Sequence, residues 1–187
     1  MKNLKDEIQS VVDIFKSGDL LNAEKLAQKL ILSNPDMGFL YNLLGLIYSQ
    51  QEKNDLALKH YNKGIKADPA FAMLYNNLGL LLMKLGSSEN IRRAEKNYKK
   101  SISINDKIPE PHNNLGSLYN SEQKYTEAID SYKKALNINP KFAPAYYNIA
   151  SVYVALGKFI DAKVNLEKSI ELYPNFYQAH RSLSRII

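Results

Sequence analysis

The 187-residue sequence has no cysteine, no tryptophan and only three histidines. Without a thiol there can be no disulfide framework, no thiolate metal site and no cysteine nucleophile. No apolar run approaches the roughly 20 residues that span a bilayer. The N-terminal Met1-Lys2-Asn3-Leu4-Lys5-Asp6-Glu7 lacks the apolar centre of a signal peptide. We therefore expect a cytoplasmic protein without membrane association. Phosphate-cradling loops are missing too, because Gly86-Ser87-Ser88 is short and no Gly-Lys follows it.

What is there describes a folded chain. Apolar residues make up 45% and charged residues 24%, proportions that argue against disorder. The net charge is +6, with a local cluster at Arg92, Arg93, Lys96, Lys99 and Lys100. A solvated helix face explains such a cluster; attraction to nucleic acid is the sharper alternative, but no nucleic-acid motif accompanies it, so no nucleic-acid partner is expected.

The dominant signal is periodic. Pro35 and Pro69 are 34 residues apart, as are Pro140 and Pro174, and as are Gly45 and Gly79. Tyr75-Asn76-Asn77-Leu78-Gly79 returns as Tyr41-Asn42-Leu43-Leu44-Gly45, His112-Asn113-Asn114-Leu115-Gly116 and Tyr146-Tyr147-Asn148-Ile149-Ala150. Between 109 and 139 the apolar residues Leu115, Leu118, Tyr119, then Tyr125, Ala128, Ile129, Tyr132, Ala135 and Leu136 advance in helical steps, interrupted at Ser121-Glu122-Gln123-Lys124. Each closing proline lacks an N–H donor and ends the second helix of a pair. Gly45, Gly79, Gly116 and Ala150 leave room for a close helix, and Ala57, Ala94, Ala128 and Ala162 supply the matching small surface.

This 34-residue period, with its Tyr-x-x-Leu-Gly core, later alanine and closing proline, resembles the tetratricopeptide repeat over nearly the whole chain. The resemblance implies an all-α fold, a right-handed superhelical α-solenoid of five helix pairs and a C-terminal helix, forming a single array over 1–187. Its units would be 4–37, 38–71, 72–108, 109–142, 143–176 and the terminal helix 177–187. Gly86 stands eight residues before Ala94 where Gly157 stands five before Ala162, so three extra residues near 87–90 are expected to lengthen a turn.

In the family, first helices line a concave groove. Carried over by offset, that face would present Asn42 and Leu46, then Met73, Asn76, Asn77, Leu80 and Met83. Asn113, Asn114, Ser117 and Asn120 follow, then Tyr147, Asn148 and Ser151. Asn77, Asn114 and Asn148 are equivalent and resemble an asparagine ladder that grips an extended peptide by its main chain. A primary amide both donates and accepts, so it can pair with a backbone N–H and C=O at once. Unlike Tyr75, Leu78 and Gly79, these asparagines have no evident packing role. The implied function is protein or peptide binding, with selectivity from Met73, Leu80, Met83 and Tyr147.

Several alternatives are narrowed. The clamp that holds acidic chaperone tails uses Lys and Asn in one unit, Asn in the next, then Lys and Arg. This chain has Asn42 and Leu46, Asn77, then Glu110 and Asn114, so the cations are missing, which disfavours that partner. His112 and His180 occupy the aromatic packing position of Tyr41, Tyr75 and Tyr146, two repeats apart, so a shared metal site is not expected. The acids Glu127, Asp130, Asp161 and Glu167 have no convergent base or nucleophile, so neither catalysis nor a cofactor is expected. The chain is also similar to arrays that precede a glycosyltransferase, sulfotransferase or oxygenase in larger bacterial enzymes. The apolar Arg181-Ser182-Leu183-Ser184-Arg185-Ile186-Ile187 ending suggests self-association through the C-terminal helix.

Overall fold

A computed structural model describes residues 3–186, and among them every regular element is an α-helix. The chain divides into two compact units, Met1–Ile104 and Asn105–Ile187. The first contains α1 (Leu4–Lys16), α2 (Leu20–Ser33), α3 (Gly38–Gln50), α4 (Asn54–Ala67), α5 (Ala72–Leu85) and α6 (Ser88–Ile104). The second contains α7 (Pro109–Ser121), α8 (Tyr125–Ile138), α9 (Ala143–Ala155), α10 (Phe159–Leu172) and α11 (Tyr177–Ile186). Within each unit consecutive helices pack as antiparallel pairs, and each pair stacks on the next.

Local chemistry sets the helix ends. The residues before Pro35, Pro69, Pro140 and Pro174 are Asn34, Asp68, Asn139 and Tyr173, with φ of −138°, −138°, −133° and −138°. A proline ring disfavours helical geometry in the residue before it, so the second helices stop there. Inside each pair the turn needs one left-handed residue. Gly18, Gly86 and Gly157 fill it at no steric cost, whereas Glu52 and Gln123 occupy it at φ 60° and 61°.

The three extra residues of the third repeat do not lengthen its turn. Only Gly86 and Ser87 separate α5 from α6, and α6 runs 17 residues where α4, α8 and α10 run 14. The insertion is absorbed as helix because Ser87 caps it: its Oγ accepts from the Asn90 amide at 3.1 Å.

The core is organised by a size exchange between paired helices. A Cβ added at Gly45, Gly79 or Gly116 would run into the ring of Tyr61, Tyr98 or Tyr132. The glycines therefore admit a tyrosine ring, and the alanines one turn earlier complete the fit rather than fill the space. Where the glycine offset holds Ala150, the tyrosine offset holds Leu166; where it holds Val11, Ala27 follows. All ten residues are buried in their units. Interiors are close-packed, so a larger residue on one helix requires a smaller one on the other.

At the end of the second unit, Leu183 and Ile186 pack against Ala150, Ala162, Leu166 and Ala179. The apolar residues that suggested self-association are thus engaged within their own unit, and Ile187 lies outside the described residues.

Candidate functional site

In the first unit the face-forming residues come from α3 and α5. Asn42, Asn76 and Asn77 are only 6%, 2% and 6% exposed. The Asn77 amide donates to Asn42 Oδ1 at 2.8 Å, and the Asn76 amide donates to Asn77 Oδ1 at 3.0 Å. The expectation that these asparagines lack a packing role is corrected: they tie one repeat to the next. A buried amide needs partners, and here the neighbouring repeat supplies them. Leu46, Met73 and Met83 are half-buried beside them and Leu80 is 45% exposed. Leu43, which shares the face by offset, is buried in the core instead.

The second unit repeats the arrangement on α7 and α9. The Asn148 amide donates to Asn113 Oδ1 at 2.9 Å and reaches Ser117 Oγ at 3.4 Å. Ser117 donates in turn to the Asn113 carbonyl at 3.1 Å and accepts from the Tyr132 hydroxyl at 3.3 Å. Asn113 is buried, while Asn114, Ser117, Asn120, Tyr147, Asn148 and Ser151 are half-buried. Both braces run diagonally, from one offset in a repeat to the next offset in the following one, which is why the paired residues are 35 apart.

Beside Tyr147 and Ser151 a cleft of about 170 Å³ opens between α9, α10 and α11. Ala150 and Val154 of α9, Leu166 of α10, and Ser182, Arg185 and Ile186 of α11 complete its lining. Ser182 and Arg185 were missed by sequence reasoning, although the 34-residue offset places them opposite Asn148 and Ser151.

The histidines act in packing and turns. His180 Nε2 lies 2.8 Å from the Pro174 carbonyl, matching the 3.2 Å bonds from Tyr75 to Pro69 O and Tyr146 to Pro140 O. His112 makes the same link to the backbone of Asp106, which stands in the proline's place, and burial holds its pKa below 6.5. His60 lies against Tyr48 with ring centres 5.1 Å apart, and burial lowers its pKa as well. Among the described residues no group of three His, Asp or Glu could hold a metal, and no helix is long and apolar enough to cross a membrane.

A family model described as TPR repeat matches residues 40–86 and 116–157, and one described as tetratricopeptide repeat matches 143–176. The chain belongs to the tetratricopeptide repeat family. Among solved structures, this repeat protein is similar to TTC0263, a thermophilic TPR protein of Thermus thermophilus. The TM-score is 0.84 at 17% identity, over 98% of both chains. It is also similar to YrrB, described as a TPR protein with an unusual peptide-binding site, with TM-score 0.65 and 21% identity over 94% of this chain and 89% of that one. A third likeness is the first TPR of Spaghetti (RPAP3) bound to HSP90 peptide SRMEEVD, with TM-score 0.57 and 26% identity over 62% of this chain and 90% of that one. Curated relatives include an uncharacterized protein of Haemophilus influenzae, 28% identical over 46% of each chain. Another is the uncharacterized protein ycf37 of Porphyra purpurea, 30% identical over 46% of this chain and 52% of that one. The chain thus spans about half the length of the curated relatives it matches.

Proposed function

We propose that this repeat protein is a non-catalytic interaction module that holds an extended peptide, or an extended segment of a partner protein, against the first helices of its repeats. The observation that carries the reading is the doubled amide brace. Asn42 with Asn77, and Asn113 with Asn148, bring paired amides together on neighbouring first helices in both units. Each amide has two N–H groups and two acceptor sites, so bracing a neighbour need not exhaust it. Half-exposed Met73, Leu80 and Met83 in one unit and Tyr147 in the other supply contact surfaces for side chains. A peptide partner also accords with YrrB and the RPAP3 repeat, both described with peptides. Acidic chaperone tails fit poorly, because Glu110 stands where their clamp needs a cation.

Binding to a peptide array, compared between wild type and the Asn77→Ala/Asn114→Ala/Asn148→Ala triple variant, tests the reading. Because the amides also brace the fold, Leu80→Glu with Met83→Glu provides a second variant that leaves the braces intact. Both sets lose peptides while keeping a helical circular dichroism spectrum. Unchanged binding by both would sink the proposal.

A further inference from the structure

The cleft between α9, α10 and α11 has the size and chemistry of a single-residue anchor, and we infer that it takes the C-terminal residue of a bound peptide. A large apolar side chain enters the cleft and the peptide's α-carboxylate meets Arg185. The inference rests on the peptide-binding reading above and deepens it.

Size limits the occupant. About 170 Å³ accommodates one side chain of leucine or phenylalanine dimensions. The apolar walls come from Val154, Leu166 and Ile186, while Ser151 and Ser182 place hydroxyls at the lining. Charge limits it further. Among the described residues, Arg185 is the one ionised residue of the lining, α9 carries no charged residue, and α11 carries Arg181 and Arg185 but no acid. The acids of α10 are exposed; Glu171 pairs with Lys168 at 2.8 Å, and Glu167 lies 3.9 Å from Lys163. The same face offset holds Leu46, Leu80, Ser117 and Ser151 in the earlier repeats, so the cation is particular to this position.

Geometry then selects the carboxylate. Successive side chains of an extended peptide point to opposite faces. An internal apolar residue and the acid beside it cannot both enter one small cleft. A C-terminal apolar residue carries its side chain and its carboxylate on the same Cα, within reach of the walls and the guanidinium together. Arginine pairs with a carboxylate through two parallel N–H bonds, the strong form of such contacts.

The probes are fluorescein-labelled hexapeptides ending in leucine, phenylalanine or glycine, each made with a free carboxylate and as the C-terminal amide. They are titrated against the full chain by fluorescence polarisation. The free acids ending in leucine or phenylalanine bind about tenfold more tightly than their amides, the scale of one charge-assisted contact. They also bind more tightly than the acid ending in glycine. Arg185→Gln removes the preference for acid over amide and leaves amide affinity unchanged. Ser151→Phe, which fills the cleft from α9, removes the preference for leucine and phenylalanine over glycine. Equal binding of acid and amide by wild type overturns the inference without needing any variant to fold, as does an acid preference that survives Arg185→Gln. If array peptides bind through internal segments and lose affinity in the Leu80/Met83 variant while acid and amide stay equal, only the anchor falls and the groove reading stands.

Discussion

At the scale of single residues, two side chains of ordinary appearance carry unexpected weight. Replacing Asn77 by Ala removes the buried donor to Asn42 Oδ1 and one acceptor of the Asn76 amide. Urea denaturation of Asn77→Ala is expected to show a loss of about 1–3 kcal/mol, the cost of stranding buried polar groups. The glycine–tyrosine exchange gives a sharper test. Gly45→Ala pushes a methyl group into the Tyr61 ring and is expected to cost about 1–3 kcal/mol, as overpacking does. Combined with Tyr61→Leu, the pairing already used at Ala150 and Leu166, the double variant is expected to lose less than the sum of the single ones. Additive losses would mean that the two positions do not compensate. His112 and His60 set the acid side of stability. Both have folded pKa values below 6.5, so the unfolded chain takes up protons first as the pH falls. Their contribution is intact above about pH 6.5 and is lost as the pH drops towards their folded pKa values. The melting temperature should fall over that interval, and less so in His112→Tyr, which installs the side chain found at Tyr75 and Tyr146.

At the scale of elements, the turn inside each helix pair is the informative feature. Its left-handed position is occupied by glycine in three pairs and by Glu52 and Gln123 in the other two. An L-residue pays roughly 1 kcal/mol to sit there. Gln123→Gly is therefore expected to raise the unfolding free energy by up to about 1 kcal/mol, measured by urea denaturation, since relief of the turn outweighs the entropy of glycine in the unfolded chain. The same turns show where sequence reading works and where it fails. Closing prolines and the 34-residue interval locate the second-helix ends, because the residue before proline is sterically barred from helix. The interval could not say whether three added residues become loop or helix. That was decided by a hydroxyl: Ser87 accepts from the Asn90 amide, and the first turn of α6 forms around it. The pairing of Asn42 with Asn77 was likewise hidden, since the interval aligns equivalent positions whereas the bond joins non-equivalent ones. Arg185 was overlooked for a different reason, as the groove offsets were carried over the second to fifth repeats and not into the terminal helix.

Over the whole molecule, the second helices present contrasting surfaces. α4 and α6 hold eight basic residues against three acids, almost the entire net charge of the chain. On α10, by contrast, Ile160 and Val164 are 84% and 60% exposed at offsets where α4 has Asp55 and Lys59 and α8 has Thr126 and Asp130. Phe159 and Leu156, just before them in the sequence, are 52% and 42% exposed. Isolated exposed apolar residues are ordinary, but a contiguous patch promotes association. Static light scattering over a concentration series is expected to show a lower apparent mass for Ile160→Lys/Val164→Lys than for the wild type. Stability should shift by no more than about 0.5 kcal/mol, because neither side chain is buried.

The rings seated against the glycines also give the molecule an optical property. Thirteen tyrosines and no tryptophan make its near-ultraviolet spectrum a tyrosine spectrum. Burial raises the phenol pKa of Tyr61 to about 12, and those of Tyr98 and Tyr132 rise for the same reason. In the unfolded chain each ionises near pH 10, so alkali favours unfolding over the interval between the two values. During an alkaline titration the exposed phenols should ionise first and reversibly, and the buried ones late and together with the loss of helix. The lag between the two absorbance steps reports, without any label, whether the stacked pairs have opened.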